Sequence, residues 1–348
     1  MKLPVVATVV LALAAPALAD DTPPGSIIFA RSGSLIRVDG KGKGETEIAT
    51  FDPSQHVRSL STDAAGKVLL ANLDRSWGWM PLDGSAKRLE PLPCADGPAQ
   101  LEEDGSHVTC RGKQGSLDID LATGKAWPVD VTVARITGTG AHRRFVWVAS
   151  DGIWGAPPSA SPRAHATKLA PEPPLHGFLA SPDGERGVGA YTSEVFTDLH
   201  HKQPAVLLMG FALDGTAARR KAIRNGVAVE WSHDSEWVLV QDGASACLMH
   251  ATGGEYKCWR GFIATSISPD GRFGLVLGGA ATRQAPPPAK KPAQPDEAES
   301  DDNEADDVAV PPPTGPLSLY RVRLEGSPYT ETPALVTKLV DGAAVWIP

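Results

Sequence analysis

The chain has 348 residues, 33 Lys and Arg against 41 Asp and Glu, and a net charge of −8. That mild acidity comes without a basic stripe, which excludes the clustered cations that phosphate backbones require. An apolar content of 42% supplies a large core, and all-β domains of this length can form one unit.

The first segment reads MKLPVVATVVLALAAPALAD. Lys2 precedes an apolar run that ends at Ala17-Leu18-Ala19, which predicts a signal peptide over residues 1–19 and cleavage after Ala19. Pro4 and Pro16 interrupt the run, and it is short for a bilayer span. No Cys follows the cleavage site, so no lipid anchor is expected there. The Ala-rich signal has a bacterial character and points to the periplasm or a secreted protein. No other long apolar run exists, so no membrane span is expected.

From Gly25 the chain reads as short strands. GSIIFARSGSLIRVDGKGKGETEIAT supplies three of them. A turn of the type Ser268-Pro269-Asp270-Gly271 then recurs. It is clear at Ser181-Pro182-Asp183-Gly184 and degenerate at Trp231-Ser232-His233-Asp234-Ser235. Weaker copies stand at Leu60-Ser61-Thr62-Asp63, Leu101-Glu102-Glu103-Asp104-Gly105 and Ile136-Thr137-Gly138-Thr139-Gly140. Pro presets φ, Asp caps its own backbone and Gly relieves crowding at the last position. An apolar run follows each turn, and then a hairpin with a D-G, T-G or E-G turn, such as SLDIDLATGKAW or LSLYRVRLEGSP. The fourth unit replaces that hairpin with a Pro-rich connection, GIWGAPPSASPRAHATKL.

Each unit is therefore four strands, A to D, with the turn between A and B. A period of about 40–45 residues with four strands is the signature of propeller blades. The first unit lacks an A strand, and the C-terminal AAVWIP looks like a lone one. Pairing the two closes the ring and removes its exposed edges. A strands are predicted near 57, 100, 134, 178, 229, 265 and 345. The expected fold is thus an all-β single propeller over residues 20–348, with seven blades and six or eight as alternatives. The SPDG-type turns after a Trp or apolar strand, with a DG hairpin downstream, resemble the TolB-type, WD40-like (PD40) repeats of exported bacterial proteins. The resemblance implies a β-propeller of the bacterial envelope. TolB itself carries an additional N-terminal α/β domain, whereas the strands here begin almost at Gly25, so a relative in repeat type is expected; the WD dipeptides of ordinary WD40 repeats are missing.

Four cysteines in an exported chain predict two disulfides. Closeness in sequence favours Cys94–Cys110 and Cys247–Cys258 among the three possible pairings. A two-residue turn at Thr252-Gly253 would set Cys247 directly opposite Cys258. A metal site is the alternative, but the spacings lack the CxxC of zinc knuckles.

Residues 280–316, within the last blade, are Pro-rich at both ends and acidic in the middle. Eight carboxylates lie between Asp296 and Asp307. Such a composition predicts a disordered insertion. It is read as a solvated loop, with a partner-docking tether or a weak calcium collector as the sharper alternatives.

Strand order places the short A–B and C–D turns on one face and the B–C and D–A loops on the other. The irregular segments fall on the second face: LDRSW (73–77), RGKQG (111–115), SEVFTDLHHKQPA (193–205) and QDGA (241–244). Binding groups favour loops on a rigid scaffold. The candidates are Arg75, Trp77, Arg111, His200, His201 and Asp242, with His56, Arg58 and His176 at the channel mouth. Each has a plainer reading as a solvated charge, and Trp77 and Trp79 as packing between blades. Trp127, Trp147, Trp231, Trp237 and Trp259 are expected in the core. No G-x-S-x-G elbow or HExxH appears. The expected function is a non-enzymatic scaffold that binds an envelope protein or peptide, monomeric and without cofactor, metal or nucleic acid. The alternative is a propeller enzyme of lyase or metal-dependent lactonase type with its site at the channel mouth.

Overall fold

A computed structural model describes residues 23–348, apart from 96, 113–114, 133–134, 139–142, 197–201, 216–220, 225, 252–255, 280–315 and 325–332. The expected signal peptide, nearly all of the acidic insertion, His200, His201 and the Thr252-Gly253 turn lie outside the described residues. The described residues form seven four-stranded antiparallel sheets, the blades of a propeller. The A strands of blades 2 to 7 are Val57–Thr62, Ala99–Leu101, Arg135–Thr137, His176–Ala180, Val227–Trp231 and Phe262–Ile267. Blade 1 takes its A strand from the C-terminal segment Ala344–Ile347. The A strands of neighbouring blades lie against one another and line the central axis.

The closure follows the predicted pairing. Ile27 stands opposite Trp346 and Ile28 opposite Val345, so the chain's last strand completes its first sheet. Trp346 locks the joint. Its indole N–H donates to the Pro24 carbonyl at 2.8 Å, its backbone N–H donates to Ser266 Oγ at 3.2 Å, and its ring stacks on Phe273.

The core is not central but lies between blades. Each of seven apolar clusters joins two adjacent sheets: Ile28 and Leu35 of blade 1 meet Leu69 and Met80 of blade 2, for example. Phe29 and Trp346 of blade 1 meet Phe273, Leu275 and Leu319 of blade 7. Strands buried on both faces read as continuous apolar runs, as in Phe273–Gly279, where every residue is buried. Trp77 and Trp79 belong to the cluster between blades 2 and 3. Trp147, Trp231 and Trp259 are buried as expected, whereas Trp127 and Trp237 are only half-buried.

The repeated turn has a physical hub. Ser268 is fully buried; its Oγ accepts the Phe273 N–H at 2.9 Å and donates to Asp270 Oδ1 at 2.5 Å. Asp270 in turn accepts the Arg272 N–H. Ser181 and Ser232 repeat the arrangement with Asp183 and Asp234. The fourth turn position is left-handed in five blades: Gly66, Gly105, Gly184 and Gly271, with Ser235 bearing φ +60° in blade 6. Gly adopts that conformation without steric cost, which explains its recurrence.

Two details depart from the sequence reading. In blade 2 the hub is Asp63, two residues beyond Ser61: its Oδ1 accepts the Lys67 and Val68 N–H groups at 2.6 and 2.7 Å. One carboxylate oxygen, accepting both N–H groups, does the work of the Ser–Asp pair there. The second departure is in blade 5, where part of segment 193–205 is not irregular. The B strand Arg186–Phe196 and the C strand Lys202–Ala212 pair continuously up to Phe196↔Lys202. The Pro-rich connection of blade 4 holds a short 3-10 turn, Pro162–His165.

Both predicted disulfides are present, Cys94–Cys110 and Cys247–Cys258. Cys247 and Cys258 are direct cross-strand partners.

Candidate functional site

Topology places the B–C and D–A loops on one face, and most of the sequence-predicted candidates are there. A cavity of about 390 Å³ on this face is lined by Gln55, Arg58, Leu73, Asp74, Arg75 and Ser76. The D–A loop before blade 2 supplies Gln55, and the B–C turn of that blade supplies Asp74, Arg75 and Ser76. Asp74 organises the site. It sits in the left-handed region at φ +46°, and its Oδ2 accepts the His56 backbone N–H at 2.9 Å. That bond holds its carboxyl below the usual range, and Arg58, with Nε 3.6 Å from Oδ1, adds to the effect. Arg58 and Arg75 are exposed, so the cavity presents two cations over one anchored carboxylate.

The remaining candidates are spread around the face. His56 is exposed beside the cavity. Trp77 is 7% exposed and packs between blades; its indole N–H donates to the Gly97 carbonyl at 3.0 Å, so it braces the loop and offers no free group. Arg111 is exposed on blade 3, where its carbonyl accepts the Ala95 N–H, next to the Cys94–Cys110 bridge. His176 is exposed at the start of its A strand, and Asp242 is half-buried at the B–C turn of blade 6. The structure brings Arg58 and Arg75 together and leaves Arg111, His176 and Asp242 on other blades.

The blade 5 hairpin gives this face its most distinctive relief. The A strand pairs with the B strand as far as His176↔Ala190, and the D strand Lys221–Arg224 pairs with the C strand as far as Leu208. Beyond those rungs, Tyr191 to Phe196 pair with Lys202 to Leu207 and with no other strand among the described residues. This is a two-stranded ribbon leaving the ring. Three of the large apolar side chains that remain exposed lie at its base and nearby: Leu175, Val206 and Val227.

Two charged clusters escaped the sequence reading. One ties blades 3 and 4: Arg143 Nε stands 2.5 Å from Glu102 Oε1, and His107 Nδ1 lies 3.1 Å from Asp118 Oδ1. Burial raises the Glu102 carboxyl, and Arg143 holds that rise in check. The other involves the A strands of blades 4 and 6 toward their A–B turns. Glu230, on the blade 6 A strand, accepts the Ile267 N–H at 2.7 Å. Its burial raises its pKa to about 7, against the pull of that bond, of Ser266 and of Arg135. Arg135, on the blade 4 A strand, feels Glu103 and Glu230 together, and burial lowers its pKa. Isolated charged residues on short strands carry no spacing signal, which is why neither cluster was legible.

Among the described residues no group of three His, Cys, Asp or Glu is placed to hold a metal, and no helix is long and apolar enough to cross a membrane. No protein-family model matches the chain, and no curated protein matches it in sequence. Solved structures match its fold. A functionally unknown protein from Desulfotomaculum acetoxidans DSM 771 aligns with a TM-score of 0.51 at 7% identity, over 93% of this chain and 100% of that one. TolB from Acinetobacter baumannii aligns at 0.46 and 10% identity, over 93% and 67%. A putative TolB from Agrobacterium tumefaciens aligns at 0.45 and 13% identity, over 91% and 89%. At such identities the likeness concerns the propeller fold alone.

Proposed function

We propose that this seven-bladed propeller is an exported, non-enzymatic scaffold that binds a protein or peptide partner in the bacterial envelope through its B–C/D–A face. The observation that carries the reading is the blade 5 ribbon. It leaves the ring with strand edges unpaired among the described residues, and Leu175 and Val206 are exposed near its base. Unpaired edges recruit extended partner segments by main-chain hydrogen bonding, and apolar side chains beside them add specificity. The Arg58–Arg75 cavity supplies a polar, cationic contact on the same face. The two disulfides fit an oxidising compartment, and the N-terminal signal pattern directs the chain to the periplasm or outside the cell. The acidic insertion falls in sequence between the B and C strands of blade 7, Phe273–Gly279 and Leu317–Arg323, and a tether for that partner is the sharper alternative to a plain solvated loop.

The test is in-cell crosslinking and mass spectrometry of the mature protein in its native host, with two variants beside it. One lacks residues 280–316 and the other replaces 192–206 with a tight turn. The reading requires one abundant envelope partner whose adducts weaken when the ribbon is removed. A ribbon-less, folded variant that keeps every adduct overturns it.

A further inference from the structure

We infer that Leu339 is an apolar anchor for the envelope partner, and that it enters an apolar pocket whose rim carries carboxylates. The inference rests on the reading that the B–C/D–A face binds a protein, and it assigns the sector of that face formed by blades 7, 1 and 2.

Leu339 is ill suited to its place in two ways. It is a bulge in Ala334–Val340, the D strand of blade 7: Lys338 pairs with Ser318 and Val340 with Leu317, which leaves Leu339 without a register partner. Its φ is +60°, a left-handed conformation that strains a bulky side chain. The other non-glycine residues with positive φ are Ser32, Asp74 and Ser235, whose short polar side chains suit turns. Leu339 is also 61% exposed, more than any other large apolar residue among those described. Yet blade 1 holds the bulge on both sides. Arg31 Nη2 donates to the Lys338 carbonyl at 3.0 Å, the Asp341 N–H donates to the Ala30 carbonyl at 2.9 Å, and Asp341 Oδ2 accepts the Ser32 N–H at 2.5 Å. A strained residue persists where its surroundings over-determine it, and such positions cluster at functional sites. Gly at 339 would relieve the strain and remove the exposed apolar surface together, so Leu serves something other than the fold. A second bulge at Val336 interrupts the same outer edge, which disfavours an added strand and leaves the re-aimed side chain as the contact.

Position and charge define the partner surface. Leu339 stands at the D–A end of its strand, just before Asp341 and Gly342 lead into the A strand of blade 1. Leu175, Val206 and Val227 are exposed on the same face, whereas Leu335 lies at the other end of the Leu339 strand. The carboxylates of the sector are engaged: Asp341 by the Ser32 N–H, Asp52 by the Ser54 N–H and Asp74 by the His56 N–H. Lys338, next to the anchor, and Arg75, on blade 2, are exposed and make no side-chain hydrogen bond or ion pair among the described residues. The unused charge is therefore positive, and acidic groups on the partner complement it.

The test is zero-length carbodiimide crosslinking of the mature protein in its native host, which joins the Lys338 amine to a carboxylate in contact with it. Mass spectrometry identifies the joined peptides in the wild type, in Leu339→Gly and in the variant with 192–206 replaced by a tight turn. The expected adduct joins Lys338 to an Asp or Glu of an envelope protein, at the rim of an apolar pocket. It should be lost in Leu339→Gly, although that variant melts no lower than the wild type. With the captured protein purified, Leu339→Gly should weaken binding about tenfold or more, and Lys338→Glu should weaken it most at low salt. An adduct to a second copy, to residues 296–307 of the same chain, or to a partner site without an apolar pocket overturns the proposal. So does an undiminished adduct in folded Leu339→Gly, or a melting temperature lowered in that variant by more than about 2 °C, which would make Leu339 a residue of the fold. Absence of any Lys338 adduct to another protein overturns it too. Ribbon-dependent adducts that survive in Leu339→Gly would then leave the broader reading intact, whereas absence of adducts in all three proteins would remove both.

Discussion

Glu230 shows how one side chain couples the ring to pH. Its carboxyl titrates near 4.5 when unfolded and about 7 in the fold, because burial outweighs the Ile267 N–H and Arg135. Between those values the folded protein binds more protons than the unfolded chain, so stability falls as pH rises through the window. The loss reaches at most about 3 kcal/mol above pH 7. Glu102, also raised by burial, adds a contribution of the same sign. Denaturant unfolding of Glu230→Gln at pH 5 and pH 8 should therefore show a much flatter pH dependence than the wild type, and higher stability at pH 8. An unchanged slope would mean that water or a mobile neighbour solvates the carboxylate. Neither Glu230 nor Arg135 was legible as a perturbed group. A lone charge in VAVEW or RIT looks the same in sequence whether it faces solvent or a neighbouring blade, and only the ring sets Glu230 against the Ile267 N–H.

At the scale of the element, the repeated turn was legible because its chemistry demands few residue types. A buried hydroxyl must take one N–H and give its proton to a nearby carboxylate, and the fourth residue must turn left-handed. Ser, Asp and Gly at fixed offsets follow from that. Where one carboxylate accepts both backbone N–H groups that Ser and Asp otherwise share, as at Asp63, the pattern shifts by two residues and the reading slips. Ser268→Ala leaves the buried Phe273 N–H without its side-chain acceptor, and should cost about 1–3 kcal/mol in denaturant unfolding. Ser61→Ala, on an exposed residue two positions from the true hub, should change stability by less than about 0.5 kcal/mol. The blade 6 hairpin was also legible, since closeness in sequence and a two-residue turn both set Cys247 against Cys258, the register the strands have. Replacing both by Ser should cost on the order of 3 kcal/mol at most, because the bridge closes a short loop. The blade 5 ribbon was not legible. SEVFTDLHHKQPA mixes charge, histidine and Pro204 without the period of two that marks a strand with one buried face.

For the whole molecule, closure is the organising fact. Seven blades pack only against their neighbours, so each interface cluster is needed to hold the ring, and the joint between blades 1 and 7 is completed by the last four-residue strand. Trp346→Ala removes a buried ring, its stack on Phe273 and the bond to Pro24, and should cost about 3–5 kcal/mol. Analytical centrifugation of that variant should also show association, because an opened joint exposes the edge of Ser26–Arg31. The ring in turn defines two unlike faces, one with stereotyped turns and one with the ribbon and the Arg58–Arg75 cavity. Which face meets the partner is the central functional claim. The most direct measurement is site-specific photo-crosslinking in the native host, with probes at positions 75 and 206 on the B–C/D–A face and at 83 on the opposite one. A single partner captured at 75 and 206 and absent at 83 is the predicted result. Capture at 83 with none at 75 or 206 would contradict it and put the working surface on the side of the A–B and C–D turns.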